Sequence, residues 1–244
     1  MLITSLENDK IKELIKLKQR KYRKKTNKYL VEGEHLVLEA CKSGDLELLI
    51  LEQDTIFPIE QQALYVTPEI ISKISSLETP TNVLGLCKVK EEKDIGNRIL
   101  LLDGIQDPGN LGTIVRSAKA FNIDTIVLGK GCVDLYNSKT LRACQGMNFH
   151  LNIIERDLLE FIKELKENGI PVYATNVTHG MDIKTLKEKD KELFALILGN
   201  EGNGVSEEVL DMADKYIYIK MNKDVESLNV AVAGSILLYE LDNK

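Results

Sequence analysis

The sequence predicts an α/β protein whose second half contains a parallel sheet. Three observations predict this class: short continuous apolar runs recur, helical patterns separate them, and 43% of the 244 residues are apolar. Continuous apolar strands that alternate with helices are typical of a parallel sheet covered on both faces. In such sheets ligands bind beyond the carboxyl ends of the strands, so those loops are where we expect the functional residues.

The first part of the chain predicts a small α/β domain over residues 1–95. Residues 8–19 have helical spacing, with apolar residues on one side and lysines on the other. A basic arm at 20–28 breaks this pattern. The later elements are helices at 34–41 and 68–75 and apolar strands at 46–51, 63–67 and 85–89.

The second part, residues 96–244, follows a polar linker at 90–98 and is more regular. The last helix of this part is apolar on nearly all sides, which predicts a subunit interface or an inserted segment. Strands are predicted at 99–103, 125–128, 172–175, 194–198 and 216–219, and helices at 111–121, 139–144, 158–167, 206–213 and 228–241.

Net charge is distributed unevenly along the chain. The formal charge is −6, but residues 1–28 carry ten Lys or Arg against three Asp or Glu, a local charge of +7. The other 216 residues therefore carry −13. Tyr22 and Tyr29 lie among the cations, a composition that suits phosphate contacts and base stacking. We expect this segment to bind RNA, with a solvent-exposed basic helix end as the alternative.

Several other classes of protein are disfavoured by composition. No apolar run has membrane-spanning length, and the first residues lack the core of a signal peptide. We expect neither disulfides nor a metal site, because the cysteines are far apart and the histidines lack metal-ligand spacing. These residues are Cys41, Cys87, Cys132, Cys144, His35, His150 and His179. A reduced, cytoplasmic location fits best.

The first loop with candidate chemistry, residues 103–110, precedes a predicted helix. Asn110 is placed to cap that helix, whose apolar stripe begins at Leu111. Gly112 and Arg116 share another face, so a substrate backbone could approach Gly112 while the guanidinium binds a phosphate or carboxylate. A tight helix entry and a solvent-exposed arginine explain the same residues equally well.

The second loop, residues 199–205, contains three glycines within six residues: Gly199, Gly202 and Gly204. Such loops commonly bind phosphate, but this one carries Glu201 at its centre, and the chain has no Walker or GxGxxG motif. A carboxylate disfavours pyrophosphate and tolerates a neutral or cationic ligand. The pattern therefore favours a nucleoside without phosphates and argues against a nucleotide-dependent oxidoreductase.

The third loop, residues 219–229, precedes the apolar last helix. Ser227 is placed to cap that helix, and Asn229 lies beside it. Spacing alone leaves open whether these two side chains are caps or ligands of a bound molecule.

Together, the three loops resemble the motifs of the SpoU/TrmH branch of the SPOUT RNA methyltransferases. The motifs are Asn110-x-Gly112-x-x-x-Arg116, Gly199-x-Glu201-x-x-Gly204 and Ser227-Leu228-Asn229-Val230, and the likeness covers residues 98–242. It includes Asp134, Lys139, Arg142 and Gly146 between the first two motifs. Residues 1–90 resemble the substrate-binding domain, similar to ribosomal protein L30e, that precedes the catalytic domain in many members.

The resemblance implies a homodimeric enzyme with a trefoil knot that transfers a methyl group from S-adenosylmethionine to a ribose 2′-hydroxyl of RNA. It implies cofactor binding by the backbone around Gly199, Ile219, Met221 and Leu228. The implied catalytic residues are Asn110, Arg116, Glu201, Ser227 and Asn229. Because an arginine normally stays protonated, we expect Arg116 to anchor a phosphate and lower the pKa of the hydroxyl, rather than act as a base.

We expect RNA contacts from cations in both predicted domains, namely Arg20, Lys21, Arg23, Lys24, Lys25, Lys139 and Arg142. Ribosomal RNA of the large subunit is the favoured substrate by analogy with relatives that carry this N-terminal domain. A tRNA substrate is one alternative. A non-catalytic RNA-binding or ribosome assembly factor is the other. No metal and no membrane is expected as a partner.

Overall fold

The computed structural model describes residues 2–176 and 180–242, so His179 lies outside the described residues. The chain forms two compact units. The first comprises the residues up to Glu91 together with Asp134–Phe149, and the second comprises Glu92–Val133 with the residues from His150 onward. Nothing in the composition of Asp134–Phe149 indicates that this segment packs with the first unit.

The strands and helices alternate along most of the chain. Three single turns of 3₁₀ helix lie at Met147–His150, Ile183–Thr185 and Glu188–Lys191. In chain order the other elements are β1 (Leu2–Ile3), α1 (Asp9–Lys16), α2 (Arg20–Thr26), β2 (Lys28–Glu32), α3 (Glu34–Lys42), β3 (Leu46–Glu52), β4 (Ala63–Val66), α4 (Pro68–Ile74), β5 (Val83–Lys88), β6 (Arg98–Leu102), α5 (Pro108–Ala120), β7 (Thr125–Leu128), α6 (Ser138–Cys144), β8 (Asn152–Glu155), α7 (Leu158–Glu167), β9 (Val172–Thr175), β10 (Met181–Asp182), β11 (Phe194–Leu198), α8 (Glu207–Leu210), β12 (Lys215–Tyr218) and α9 (Val230–Leu241).

The first unit is built on a mixed sheet with the order β1-β4-β3-β5-β2. The basic arm is not irregular, because Arg20–Thr26 forms helix α2, which ends where Asn27 adopts a left-handed backbone with φ of 52°. Helix α1 buries Ile11 and Leu14 in the same core as strands β3 and β4. Residues 1–28 therefore supply core as well as charge, and their removal would expose the sheet.

The second unit contains a sheet with the order β10-β12-β9-β11-β6-β7-β8, in which every described pairing is parallel. Helix α7 packs with Ile99 and Leu101 in the core on one face. Helix α9 packs at Gly234 against Leu198, where an added Cβ would lie 2.7 Å from Leu198 Cδ1. The predicted α/β class with a parallel sheet is confirmed.

Parallel pairing brings the three candidate loops to one edge of this sheet. Strands β6 and β11 are neighbours with Leu102 opposite Leu198, and the Asp103 N–H donates to the Leu198 carbonyl at 2.9 Å. The first and second loops therefore leave the sheet side by side. Strand β12, which precedes the third loop, pairs with β9 on the other side of β11.

Three helix boundaries differ from the sequence prediction. Helix α5 begins at Pro108 and is capped by Asp107, whose carboxylate accepts from the Asn110 N–H, so Asn110 lies inside the first turn and is not the cap. Helix α9 is capped by Asn229 and not by Ser227. Helix α8 is limited to Glu207–Leu210.

Four strands were not predicted: β1 and β10 have two residues each, β8 buries only Ile154, and β2 directly follows the basic arm at 20–28. The predicted subunit interface on α9 stays a prediction; in the single chain the exposed fractions of Val232 and Tyr239 on this helix are 48% and 65%.

Candidate active site

A cavity of about 330 Å³ opens where the second and third loops meet helix α9. This volume lies at the lower end of the range usual for small-molecule sites. Its lining includes all four predicted cofactor-binding residues and two of the predicted catalytic ones: Gly199, Ile219, Met221, Leu228, Glu201 and Ser227. The second and third sequence motifs therefore line one cavity, although they are far apart in the chain.

The second loop is a closed ring that only glycine permits at its first position. Asn200 and Gly204 exchange two backbone hydrogen bonds, of 2.8 and 2.9 Å. A Cβ added to Gly199 would lie 2.1 Å from the Gly204 carbonyl carbon and from the Val205 nitrogen. Gly204 has φ of +70°, in the region that favours glycine. Gly199 and Gly204 therefore close the loop, and Glu201 lies at its outer turn.

Three predicted catalytic residues form a connected hydrogen-bond network at the cavity rim. The Asn229 Nδ2 donates to Asn110 Oδ1 at 2.9 Å, and the Asn110 Nδ2 donates to Glu201 Oε1 at 3.0 Å. Asn229 also caps α9, because its Oδ1 accepts from the Ala231 N–H at 2.9 Å. Asn229 is therefore both a cap and a network member.

Glu201 is held as a carboxylate by the groups around it. Partial burial by itself raises its pKa, but hydrogen bonds lower the pKa below its ordinary value. The donors are the Asn110 side chain and the backbone N–H groups of Glu201 itself, Asp107 and Gln106. The rim of the cavity therefore carries a negative charge at neutral pH.

Arg116 and Ser227 are not part of this network. Arg116 is exposed on α5, does not line the cavity, and has no hydrogen bond or ion pair among the described residues. Gly112 is buried within α5, so the predicted approach of a substrate backbone to Gly112 is not available. Ser227 lines the cavity without capping α9.

Sequence reasoning missed several residues at the same edge of the sheet. Thr175 and Asn176 line the cavity at the end of β9, and their position directly after a predicted strand could have indicated it. Asp103 accepts from the Ser206 N–H at 2.8 Å and joins the first loop to the end of the second. Asn200, between a glycine and Glu201, also joins these loops.

The cavity suits S-adenosylmethionine by its chemistry. Apolar side chains of Leu198, Ile217 and Leu237 supply a surface for an uncharged ring system, and loop backbone supplies polar groups. The Glu201 carboxylate favours a ligand with a positive charge and disfavours a phosphate. A sulfonium nucleoside without phosphates matches both features.

The predicted RNA-binding cations of helix α2 differ in exposure. Arg20, Lys21, Lys24 and Lys25 are exposed, and the Lys21 ammonium lies 4.9 Å from the centroid of the Tyr22 ring. Lys139 and Arg142, on helix α6 of the same unit, are also exposed. These six side chains are exposed, and the Arg20 guanidinium also lies 3.9 Å from the Asp134 carboxylate.

Arg23 requires a correction, because it is buried and already bonded. Its guanidinium pairs with Asp134 and donates to the carbonyls of Leu17 and Lys18 at 2.7 and 2.8 Å. The exposed fraction of the Arg23 side chain is only 9%. Arg23 therefore joins the end of α1 to the segment that leads into α6 and is removed from the predicted RNA surface.

Metal-binding and membrane-spanning features are absent from the described part of the chain. No group of three or more His, Cys, Asp or Glu side chains in residues 2–176 and 180–242 could hold a metal ion. No helix in these residues is long and apolar enough to cross a membrane.

Family models match both parts of the chain. Residues 97–239 match the SpoU rRNA methylase family, and residues 8–85 match the MRM3-like substrate-binding domain. The chain belongs to the SpoU rRNA methylase family. The predicted family is therefore confirmed.

Individual members of the family resemble the whole chain. It is 41% identical over 245 residues, 98% of each chain, to the 23S rRNA (guanosine(2553)-2′-O)-methyltransferase RlmP of Bacillus subtilis. A solved TrmH-family RNA methyltransferase of Porphyromonas gingivalis superposes with a TM-score of 0.86 at 30% identity, covering 97% of this chain and 98% of that one. An rRNA methyltransferase of Sinorhizobium meliloti, solved with AdoMet (S-adenosylmethionine) bound, has a TM-score of 0.85 at 28% identity, covering 99% and 97%. The predicted S-adenosylmethionine-dependent methyltransferase activity and its cofactor are confirmed.

Proposed function

We propose that this SpoU-family enzyme transfers a methyl group from S-adenosylmethionine to a ribose 2′-hydroxyl of 23S ribosomal RNA. The observation that carries the proposal is the hydrogen-bonded chain from Asn229 through Asn110 to Glu201 at the rim of the cavity. The Bacillus subtilis relative that is named for this reaction matches nearly the full length of both chains, which supports ribosomal RNA over tRNA.

The residues of the site would act mainly by alignment. When bound, S-adenosylmethionine supplies a methyl group already activated by its sulfonium, so orientation can provide much of the rate. The second and third loops would hold the cofactor through Gly199, Ile219, Met221 and Leu228. The Glu201 carboxylate would stabilise positive charge beside the cavity, and the two asparagines would keep it in place.

Arg116 would act on the RNA and not on the cofactor. Its exposed guanidinium has no partner among the described residues, so its donors are available for a phosphate. A cation beside the reacting nucleotide stabilises the oxyanion that develops on the 2′-hydroxyl and lowers the pKa of that hydroxyl. Ser227 would contact a bound ligand directly, since it lines the cavity and caps no helix.

The two parts of the chain would divide the work. Residues 1–95, an L30e-like substrate-binding domain, would bind RNA, and residues 96–244 would bind the cofactor and carry out the transfer. The separate family matches at 8–85 and 97–239 support this division. Exposed cations of α2 and α6 would contact phosphates, and the reaction would take place in the cytoplasm, where ribosomes are assembled.

A methyl-transfer assay tests this function directly. The purified protein is incubated with S-adenosylmethionine and either 23S rRNA or tRNA, and 2′-O-methyl positions are mapped in each. The expected result is methylation of 23S rRNA at one ribose. The same 2′-O-methyl group should be missing from the 23S rRNA of cells that lack the gene. Methylation of tRNA alone would support the tRNA alternative, and RNA binding without cofactor binding would support the assembly factor.

The enzyme would work as a homodimer with a knotted C-terminal segment. The exposed apolar side chains Val232 and Tyr239 on α9 are surface that a second copy could bury. Light scattering during gel filtration should give twice the mass of one chain, and Val232→Glu should lower it. If the chain is pulled from both ends until it unfolds, a trefoil knot would tighten, and the measured end-to-end extension would be shorter than the contour length.

A further inference from the structure

We propose that Asn200 is a positioning residue that holds the Glu201 carboxylate in register with the first loop. The inference deepens the proposed methyl transfer and rests on it, because Asn200 would act through Glu201. Asn200 lines the cavity, and its Nδ2 donates to Glu201 Oε2 at 3.4 Å, whereas no hydrogen bond joins it to Asn110 or Asn229. Its role would be to fix the loop that carries the carboxylate.

The side chain of Asn200 joins two loops with its two different ends. Its Nδ2 donates to the Gly104 carbonyl of the first loop at 2.8 Å. Its Oδ1 accepts from the N–H groups of Gly202 and Asn203 within the second loop, at 2.9 and 3.3 Å. The neutral amide offers a donor at one end and an acceptor at the other, which an ionised carboxylate of the same shape does not.

The Gly104 carbonyl is set for this contact by its own backbone. Gly104 has φ of +71°, a conformation that side-chain-bearing residues rarely adopt. Its Cα faces Asn200, since an added Cβ would lie in van der Waals contact with Asn200 Cβ and Nδ2, at 3.8 and 3.9 Å. The backbone conformation of Gly104 therefore places its carbonyl oxygen where the Asn200 amide can donate to it.

Asn200 affects Glu201 because backbone hydrogen-bond donors of Glu201 belong to the first loop. Glu201 accepts from the backbone N–H groups of Gln106 and Asp107, at 3.5 and 3.4 Å, and both belong to the first loop. The amide of Asn200 fixes the separation of the two loops one residue before Glu201. Without the Asn200–Gly104 hydrogen bond the ring could move away from the first loop, and Glu201 would be deprived of donors that keep it ionised and oriented.

Asn200→Asp isolates this contact, because the two side chains have the same shape. Aspartate keeps the acceptor for Gly202 and Asn203, but it places a charged oxygen against the Gly104 carbonyl and beside Glu201 Oε2, which now lies 3.4 Å from Asn200 Nδ2. Below its own pKa the new carboxyl is protonated and can again donate to Gly104. The variant should therefore recover as the pH is lowered.

The experiment compares wild type, Asn200→Asp and the charge control Asn97→Asp, which changes an exposed residue just before β6, at the opposite end of that strand from the site. We expect kcat for RNA methylation by Asn200→Asp to fall about 10²-fold at pH 8, with an unchanged KM for RNA. The ratio of its kcat to that of wild type should rise as the pH falls toward about 5.5, and Asn97→Asp should show no such change. Calorimetry with S-adenosylmethionine should show weaker binding by Asn200→Asp at pH 8 and recovery at the lower pH.

A ratio near one at every pH overturns the inference, and a reduced ratio that is independent of pH indicates a purely structural role and also overturns it. If Asn200→Asp does not fold, Asn200→Ala replaces it. A wild-type kcat together with a wild-type KM for S-adenosylmethionine in Asn200→Ala would then contradict the proposal. Failure of the proposed function is distinct, because wild type itself would then bind no cofactor or methylate no RNA.

Discussion

The cavity rim of the second unit and helix α2 of the first unit hold their polar side chains in opposite ways. At the rim, Asn110, Glu201 and Asn229 each make at least two hydrogen bonds inside the protein. On α2 the cationic side chains other than Arg23 are exposed, and Arg20 also pairs with Asp134 at 3.9 Å. Fixed groups suit chemistry that depends on alignment, whereas exposed cations suit the variable path of an RNA backbone.

Replacement of Arg116 should have the largest effect, because this residue combines an exposed cation with the proposed chemistry. Arg116→Ala should reduce methyl transfer about 10³-fold, since it removes the charge proposed to stabilise the transition state. Cofactor affinity should stay nearly unchanged, because Arg116 does not line the cavity. Single-turnover methylation and calorimetry with S-adenosylmethionine measure the two quantities separately.

Lys119→Ala, which removes another exposed cation from helix α5, is the matched control and should retain activity. Retained turnover in Arg116→Ala would remove this residue from the proposed mechanism. A parallel decrease in cofactor affinity would show instead that the substitution disturbs the fold of α5.

Replacement of Arg23 tests whether the one buried cation of helix α2 stabilises the fold. Arg23→Ala should lower the free energy of unfolding by about 3 kcal/mol, because it removes the nearer of the two arginines that pair with Asp134 and leaves two carbonyls at the end of α1 without donors. Lys25→Ala, an exposed change on the same helix, should alter stability by less than about 0.5 kcal/mol. Urea unfolding followed by circular dichroism gives both values, and equal stabilities would contradict the buried role of Arg23.

The part of the fold that could be predicted from sequence is the part with unambiguous periodicity. Helix α7 and strands β7, β9 and β11 were predicted with their observed bounds, because each is a continuous apolar or amphipathic run between polar turns. Strand β8 was missed since only Ile154 in it is buried. A run of apolar residues arises where a strand is buried, so an edge strand with few buried residues lacks the apolar run from which strands were predicted.

The site was predictable in composition but not in its connections. Glycine and acid spacing identified Gly199 and Glu201, yet the capping roles of Asp107 and Asn229 were assigned to neighbouring residues. A small shift of a helix start is not encoded by spacing when two nearby polar residues can both cap. The burial of Arg23 could not be foreseen either, because its partner Asp134 lies 111 residues away in sequence.

Gly199→Ala tests how tightly the rim is fixed. The new methyl group would lie 2.1 Å from backbone atoms of Gly204 and Val205, which cannot yield without opening the ring. We expect S-adenosylmethionine affinity to fall by at least about tenfold and stability to fall by about 1–3 kcal/mol. Gly202→Ala is the matched control, since its Cβ would meet only Asn200 Oδ1 at 3.5 Å, an ordinary contact. Similar affinities for the two variants would show that the ring is adaptable.

Removal of an exposed cation should have the smallest effect, and the salt dependence of RNA affinity is the quantity that tests its role. Removing Lys139 should weaken RNA binding only a few-fold at moderate salt, because this cation would bind a phosphate in full exposure to solvent. The slope of log affinity against log salt concentration should decrease by about 0.7–0.9 for each phosphate that the variant no longer neutralises. Lys187→Ala, an exposed cation of the second unit, should leave the slope unchanged. Weaker binding of Lys139→Ala with the wild-type slope would mean that Lys139 contacts a base or supports the fold of α6, and not that it neutralises a phosphate.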